Sequence, residues 1–585
     1  MEDEEILKKL EDTTVDATRR QLETLKTILE HNGGVRYLQP FLGQSDAPVD
    51  AEAFRRLVPL STYDDYADHI NRMADGADHY EDNDYHGHIL SVDPLVCFFL
   101  SSGTSSMTPK LIPYFDSALS KAVSPLAHQV STAVLRRLFS PRSPTNKILW
   151  FMYVGNVTIS KGGFKAMAAS AFPLLSNREG QSQFHSLCIT PLEVIMGSNM
   201  QHQMYCHLLC GLRKFELIDG IRAPYAVGLI SAFCLLESKW EQLCDDLQHG
   251  ILNSEITDVE MRNSVTKFIG GPQPELSNRI RSVCKDKSWD GILCKLWPNA
   301  RYIRCVTTGS MQQYYRKLKY YAGEMPLLCG DYFASECTVG INLDIMQPPE
   351  LTRFVMLPTA AYFEFLPFNL KDACAIGKET RELSGVEVGK LYEVVVTTYR
   401  GLYRYRLGDI VRVVGFHNLS PLVEFVMRAP KSPSEILTER DLLTAIENLE
   451  FALGSMSMGE IMDFSSFLDL ESSRKKVKIF VELKEGCMLL QKEKEQSKAL
   501  LKSCCASFEE GLGGLYKARR ETDEIESLLL SIVKPGTFDQ LFQVTIDNDA
   551  PVSQYKPPKI IRSRKIANLM EGNAVLTVCL NSPDC

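Results

Sequence analysis

The feature that most narrows the fold is a buried-looking strand with a chemically loaded exit. Leu95-Val-Cys-Phe-Phe-Leu100 is an unbroken apolar run, the pattern of a strand covered on both faces. It passes without a spacer into Ser101-Ser-Gly-Thr-Ser-Ser-Met-Thr-Pro-Lys110. Backbone amides and hydroxyls in such a segment can wrap phosphoryl oxygens, and Lys110 adds a point charge. The P-loop spacing G-x-x-x-x-G-K-[ST] is absent, so the turn does not match that nucleotide motif. Beyond it, Asp116 is expected to cap a helix that runs towards Leu138 and bends or breaks near Pro125. Strand, polar loop and helix together are the order of a phosphate-handling crossover.

Other segments have equally local signatures. Leu22, Leu25, Ile28 and Leu29 at helical spacing, followed by Gly33-Gly34, predict an amphipathic helix over 16–32. From 145 to 370 helical patterns such as Gln203–Leu212 alternate with β-rich runs such as Arg301–Cys305 and Tyr362–Leu366, which reads as α/β with a mostly parallel sheet. Tyr392–Tyr399 turns at Arg400-Gly401 into Leu402–Arg406, a hairpin. The proline-rich stretch Arg428–Pro433 marks a boundary, after which Thr438-x-x-Asp441 opens a helix bearing Leu442, Leu443, Ile446 and Leu449. The alternating strand Val477–Leu483 and several helical patterns then predict a small α+β lid domain.

Composition narrows the function classes. The chain has 585 residues, too many for one domain, with ordinary hydrophobic (45%) and charged (23%) fractions that fit globular units. A net charge of −9 does not suit a protein held to a phosphate backbone. The basic clusters Arg474–Lys478 and Lys556–Lys565 are therefore read as solvated faces. No apolar stretch approaches the ~20 residues of a membrane helix, and Met1–Lys9 is acidic rather than signal-like. Scattered cysteines without zinc or redox spacing fit a reduced, cytoplasmic chain. The run His79–His88 follows no metal-ligand spacing and is read as a hydrated loop.

Three motifs then occur in order. Ser101-Ser-Gly-Thr-Ser105 with Lys110, Tyr332-Phe-Ala-Ser-Glu336 and Tyr405-Arg-Leu-Gly-Asp409 resemble the signatures of the plant auxin-responsive acyl acid amido synthetases, a family of the firefly-luciferase-like adenylate-forming superfamily. Weaker segments agree, among them Met204–Leu209, Thr308–Met311, Gly536–Phe538 and Gln554-Tyr-Lys556. The resemblance implies a large N-terminal adenylating domain with mostly parallel sheets and a β-hairpin or barrel-like part (1–428), a hinge (429–435) and a C-terminal lid (436–585). ATP and Mg2+ are the implied cofactors, and a carboxylic acid and a free amino acid the implied partners. By that resemblance Ser101, Ser102, Gly103, Thr104, Ser105 and Lys110 hold the phosphates, Tyr332, Phe333, Ala334 and Ser335 line the adenine, and Glu336 carries the metal. Asp409 accepts hydrogen bonds from the ribose hydroxyls, a task that suits a carboxylate because it has acceptors and no donor. Lys556 and Lys431 join Lys110 as catalytic cations, while Gln129, Ser170 and Thr308 are candidates for the acyl and amine pockets.

Departures from the family pattern keep two alternatives open: a nucleotide-binding relative with altered catalysis, and a ligase that passes its acyl group to a thiol such as coenzyme A. Met107 stands where the first signature has a second glycine, Ala334 replaces a serine, and Ser434-Glu-Ile-Leu437 lacks the lysine usual after the hinge. Lys431 or Lys556 would have to replace that charge. Gln129 occupies the place where benzoate-type members put an arginine. Which acid and which amino acid react is not written in these motifs.

Overall fold

The computed structural model describes residues 2–43, 49–76, 88–101, 109–176, 178–286, 288–370, 374–375, 377, 379–431, 435–456, 458–469, 475–548 and 555–579. Most of the hydroxyl turn, 102–108 with Met107, therefore lies outside the described residues, as do most of the run His79–His88, the hinge centre 432–434 and Gln554.

Four sheets organise the described chain. The first corrects the crossover expected after Leu100. Strand Leu95–Leu100 pairs antiparallel with Leu111–Phe115, so the next described element is a second strand and not a helix. Leu111–Phe115 is an edge strand, which is why Pro113, opposite Phe98, is tolerated without its amide. The helix beyond is two helices, Ala118–Val123 and Pro125–Leu138, broken as expected at the proline. Its N-cap is Ser117, whose hydroxyl accepts from the Ser120 amide; Asp116 instead pairs with Lys121.

The second sheet, Lys147–Trp150, Ile218–Tyr225, Ile303–Val306 and Leu327–Cys329, is parallel throughout. Parallel neighbours need long crossovers, and these are helical: Met200–Arg213 precedes the second strand, Ala226–His249 follows it, and Tyr315–Ala322 joins the third to the fourth. Met200–Arg213 is buried on every side from Gln203 to Leu212. His207 there is bonded to Thr190 and the Met152 carbonyl, and burial pushes its imidazole down to about 4.

The third sheet is nine-stranded and antiparallel, with its strand order running as an open path. Tyr362–Asn369, read from sequence with the parallel middle, belongs here and pairs with Leu391–Thr397. Leu391–Thr397 then pairs with Tyr405–His417 in the expected hairpin. A Cβ on Gly401 would lie 2.5 Å from the Leu90 carbonyl oxygen, so only glycine fits that turn. Helix Ala17–Asn32 docks on this sheet through Gln21, which donates to the Pro358 and Ala361 carbonyls and accepts from the Phe363 amide.

The fourth sheet is C-terminal: Ile560–Ile561, Ile461–Asp469, Lys476–Leu483, Leu529–Val533 and Ala574–Cys579. Alternation along Lys476–Leu483 serves two layers. Val477, Ile479 and Val481 join helices Glu439–Ser455 and Lys494–Gly511, while Phe480 joins Thr537–Ile546 and Arg564–Gly572. Helix Glu439–Ser455 begins with the expected reciprocal Thr438–Asp441 capping box. The solvated-face reading of the basic clusters fails at Lys559, whose side chain is wholly buried against Asp463. No helix among the described residues is long and apolar enough to cross a membrane.

Candidate active site

Asp409 lies within strand Tyr405–His417, opposite Arg428 in the register. Gly408 before it has φ +76, and the pairing with the neighbouring strand slips from Glu393↔Ile410 to Val395↔Arg406 around it. That bulge re-aims the following side chain. The Asp409 carboxylate is 2% exposed. Its Oδ2 accepts a 2.5 Å hydrogen bond from the Tyr332 hydroxyl, and its Oδ1 lies 2.5 Å from an Arg428 nitrogen without accepting an aligned hydrogen bond. Burial and the adjacent carboxylate hold the Tyr332 phenol well above its usual range. The Asp409 charge, in turn, raises Arg428. The third motif and the second are thus tied directly.

Tyr332–Phe333 is a short strand that returns through Thr338–Ile341, the turn being closed by the Ala334 amide on the Cys337 carbonyl. Ser335 and Glu336 sit in that turn, partly buried. Desolvation raises the Glu336 carboxyl, opposed by the positive charges of Lys110 and Arg428. Phe333 is exposed, and its ring centre is 4.9 Å from that of His128.

The first motif reaches the same place from the hairpin. Ser101 and Lys110 close its base: the Ser101 amide donates to the Lys110 carbonyl at 3.0 Å and the Lys110 amide donates to Ser101 Oγ at 2.8 Å. Lys110 Nζ lies 3.4 Å from the Tyr405 hydroxyl and 5.0 Å from the centre of the Tyr63 ring. Burial lowers the Lys110 ammonium, and Glu336 is the leading charge that restores it. Tyr405 faces Glu336 as well. Lys110, Glu336 and Asp409, hundreds of residues apart in part, therefore share one electrostatic neighbourhood.

The remaining candidates are spread around this centre. Lys431 keeps an exposed surface, yet desolvation, then Arg562 and Lys110, push its ammonium down to about 8. Lys556 lies over the Tyr225 ring at 4.1 Å, at the C-terminal end of a parallel strand. Thr308 precedes the turn Gly309–Tyr314 beyond the neighbouring strand. Gln129 is exposed on helix Pro125–Leu138, and Ser170 is partly buried in the turn Ala169–Ala171. A surface hollow lined by Gly250, Ile251, Leu252, Arg262, Asn263, Thr266 and Lys267 contains none of these residues.

Sequence reasoning missed Arg428, Tyr405 as a link, and a buried network just ahead of the second motif. Asp331 accepts from Ser131 (2.6 Å), Arg304 (2.9 Å) and the Asn342 amide (3.1 Å), fixing helix Pro125–Leu138 to the end of the parallel sheet. Only the position of Asp331 beside Tyr332 signalled it. Glu336 is a single carboxylate, and no group of three or more metal-ligating side chains occurs among the described residues.

Comparison with known proteins identifies the family. The chain matches the GH3 family N-terminal domain over residues 6–327, the GH3 family central domain over 354–428 and the GH3 family C-terminal domain over 440–565. It is 45% identical to a probable indole-3-acetic acid-amido synthetase of Oryza sativa subsp. japonica over 431 residues, covering 72% of this chain and 86% of the relative. A jasmonoyl–L-amino acid synthetase of the same plant is 35% identical, with 97% of each chain covered. Among solved structures, the GH3.15 acyl acid amido synthetase in complex with 2,4-DB superposes with a TM-score of 0.83 at 31% identity, covering 99% of this chain and 98% of that one. Motifs, fold and relatives converge: the chain belongs to the GH3 family.

Proposed function

We propose that this chain is an ATP-dependent acid–amino acid ligase, which activates a small carboxylic acid of hormone, benzoate or cinnamate type and passes the acyl group to an amino acid. The observation that carries this reading is the meeting of Lys110, Glu336 and the Tyr332–Asp409 pair, because adenylation needs phosphate, metal and ribose contacts around one nucleotide. An oxygen of the acid attacks the α-phosphorus and pyrophosphate leaves with its bonding pair. The uncharged amine then attacks the acyl carbon, AMP leaves, and the nitrogen sheds a proton as the amide forms.

The protein's share is positioning and charge. Ser101–Ser105 and Lys110 hold the phosphates, Tyr332–Ser335 border the base, and Asp409 receives the ribose hydroxyls. A carboxylate has about four lone-pair sites, and Tyr332 uses one of them here. Glu336 would hold a magnesium ion, which when bound would supply neutralising charge to the phosphates. Lys431 stands within the field of Lys110, which supports it as the replacement for the missing hinge lysine. Lys556 would then join when the C-terminal domain (436–585) turns about the hinge at 429–435. Gln129, Thr308 and Ser170 remain candidates for the organic substrates. Every described cysteine is a free thiol, which supports the cytoplasm as the compartment.

ATP–pyrophosphate exchange measured over a panel of hormones, benzoates and cinnamates tests the reading. Exchange that depends on one class of acid, followed by amide formation, is expected. ATP binding without exchange on any acid would favour the non-catalytic relative, and thioester products would favour the coenzyme A alternative.

A further inference from the structure

Four arginines in or beside the antiparallel sheet around the site, Arg404, Arg406, Arg412 and Arg428, each have a carboxylate partner: Glu364, Glu393, Glu424 and Asp409. Arg400 does not. It stands in the hairpin turn just before Gly401, partly buried, and makes no ion pair and no side-chain hydrogen bond with any described residue. Its guanidinium instead lies 4.7 Å from the centre of the Tyr114 ring and 5.7 Å from that of Phe99. Among the described residues the titratable groups facing it are Tyr114, Cys337 and Cys97, with no acid among them. Burial lowers its affinity for a proton, as for any cation withdrawn from water without an anion.

The position matters because Phe99 and Tyr114, the rings under the guanidinium, lie on the paired strands that meet at Ser101 and Lys110. Arg400 thus borders the candidate nucleotide site. The rest of its surroundings are apolar: Phe172 meets Phe99 edge-on and Tyr114 at a tilt, and Met167 and Ala169 pack in the same cluster. A desolvated, stacked guanidinium is a pre-organised fork for an oxyanion.

Three anions come to a ligase of this kind. ATP already has Lys110, the hydroxyl turn and a metal. The reacting carboxylate loses its charge on activation, so an arginine bound to it would stabilise the ground state more than the transition state. The carboxylate of the acceptor amino acid keeps its charge from binding to product, and none of the residues assigned above neutralises it.

We propose that Arg400 is the receptor for the carboxylate of the acceptor amino acid, an inference that rests on the ligase reading. The reaction therefore requires an acceptor that carries both a free amine and a free carboxylate.

The test compares full-length wild type, Arg400→Ala and Arg400→Lys in two assays: acid-dependent ATP–pyrophosphate exchange, and amide formation with an amino acid or with its carboxamide. In Arg400→Ala the KM for the amino acid should rise about ten- to a hundredfold, the range of a lost charge-assisted hydrogen bond. The KM for ATP in exchange should move much less. Wild type should prefer the amino acid to its carboxamide, Arg400→Ala should not, and Arg400→Lys should recover part of the preference. A rise in the KM for ATP or pyrophosphate alone would make Arg400 a phosphate ligand and overturn the proposal. Equal losses with both acceptors would reduce it to a structural stack. Absence of exchange in wild type would remove the ligase reading itself, and the carboxylate receptor with it.

Discussion

Asp409 and Asp463 each lie almost wholly buried, accept a tyrosine hydroxyl on Oδ2 and face a cation with Oδ1. For Asp463 the tyrosine is Tyr314 at 2.7 Å and the cation is Lys559, whose side chain has no exposed surface. Gln313 and the Phe464 amide also donate to its Oδ1, and the Lys559 ammonium is further held by the Phe464 carbonyl and two aromatic rings. Asp409 has one tyrosine bond and an ion pair with Arg428, whose side chain is 52% exposed. One carboxylate is saturated inside the protein. The other keeps acceptor capacity behind a group that already touches solvent. The same trio of residue types thus makes a seam between the C-terminal sheet and the turn Gly309–Tyr314 in one place, and a receptor in the other. What separates them is the number of donors supplied by the fold.

Substitutions can break this contrast. The largest effect is expected from Lys559→Met, which strands Asp463 without its counter-ion. Removing one partner of a buried pair costs about 3–5 kcal/mol, read as a fall in the urea midpoint with the KM for ATP retained. A cost near that of a surface ion pair would mean that water reaches the seam, and the contrast would collapse.

Asp409→Asn should act the other way round. Losing ionic acceptance of ribose hydroxyls is worth about 3 kcal/mol, roughly a hundredfold in kcat/KM for ATP in the exchange assay. Arg428, half exposed, is solvated when its partner goes, so the urea midpoint should scarcely move. Unfolding losses as large as the kinetic ones would turn Asp409 into a second strut.

A matched pair of smaller changes sharpens the comparison. Tyr332→Phe and Tyr314→Phe each remove one hydroxyl donor from a buried carboxylate, a loss of about 1–3 kcal/mol. The first should appear mainly as a raised KM for ATP and the second mainly as lowered stability, and an exchange of these signatures would contradict the assignment.

The smallest effects should be seen in the pH profile. Lys431, pushed down to about 8 by desolvation and by Arg562 and Lys110, carries its charge below that pH and loses it above. Activity that needs the cation should fall on the alkaline side, and Lys431→Arg, charged throughout, should remove that fall. Glu336 is raised mainly by burial, against the pull of Lys110 and Arg428. A profile flat through pH 8 in wild type would dismiss Lys431 as a working cation.

Much of the local structure was legible in the chain because local signals carry it. Helix Ala17–Asn32, strand Leu95–Leu100, the hairpin before Asp409 and the Thr438–Asp441 cap rest on periodicity, turn residues and capping within a few positions. The misreadings arose where neighbours in space overrule neighbours in sequence. Pro113 disguised a strand, since proline is acceptable only because that strand is an edge. Lys559 looked solvated in a basic cluster, since its partner Asp463 lies 96 residues earlier. Nothing in its own segment tells that Arg428 is set opposite Asp409 by strand register.

By itself the sequence determined the motifs, their chemical types and most of the elements that carry them, because hydroxyls, carboxylates and hydrophobic periods are properties of the chain. Only the tertiary structure decided that Tyr332 bonds Asp409 across 77 residues, that Lys110 arrives beside Glu336, and that Asp409 rather than Asp463 keeps acceptors to spare. Those facts depend on strand register, on the bulge at Gly408 and on how many donors crowd each carboxylate, none of which any single segment specifies.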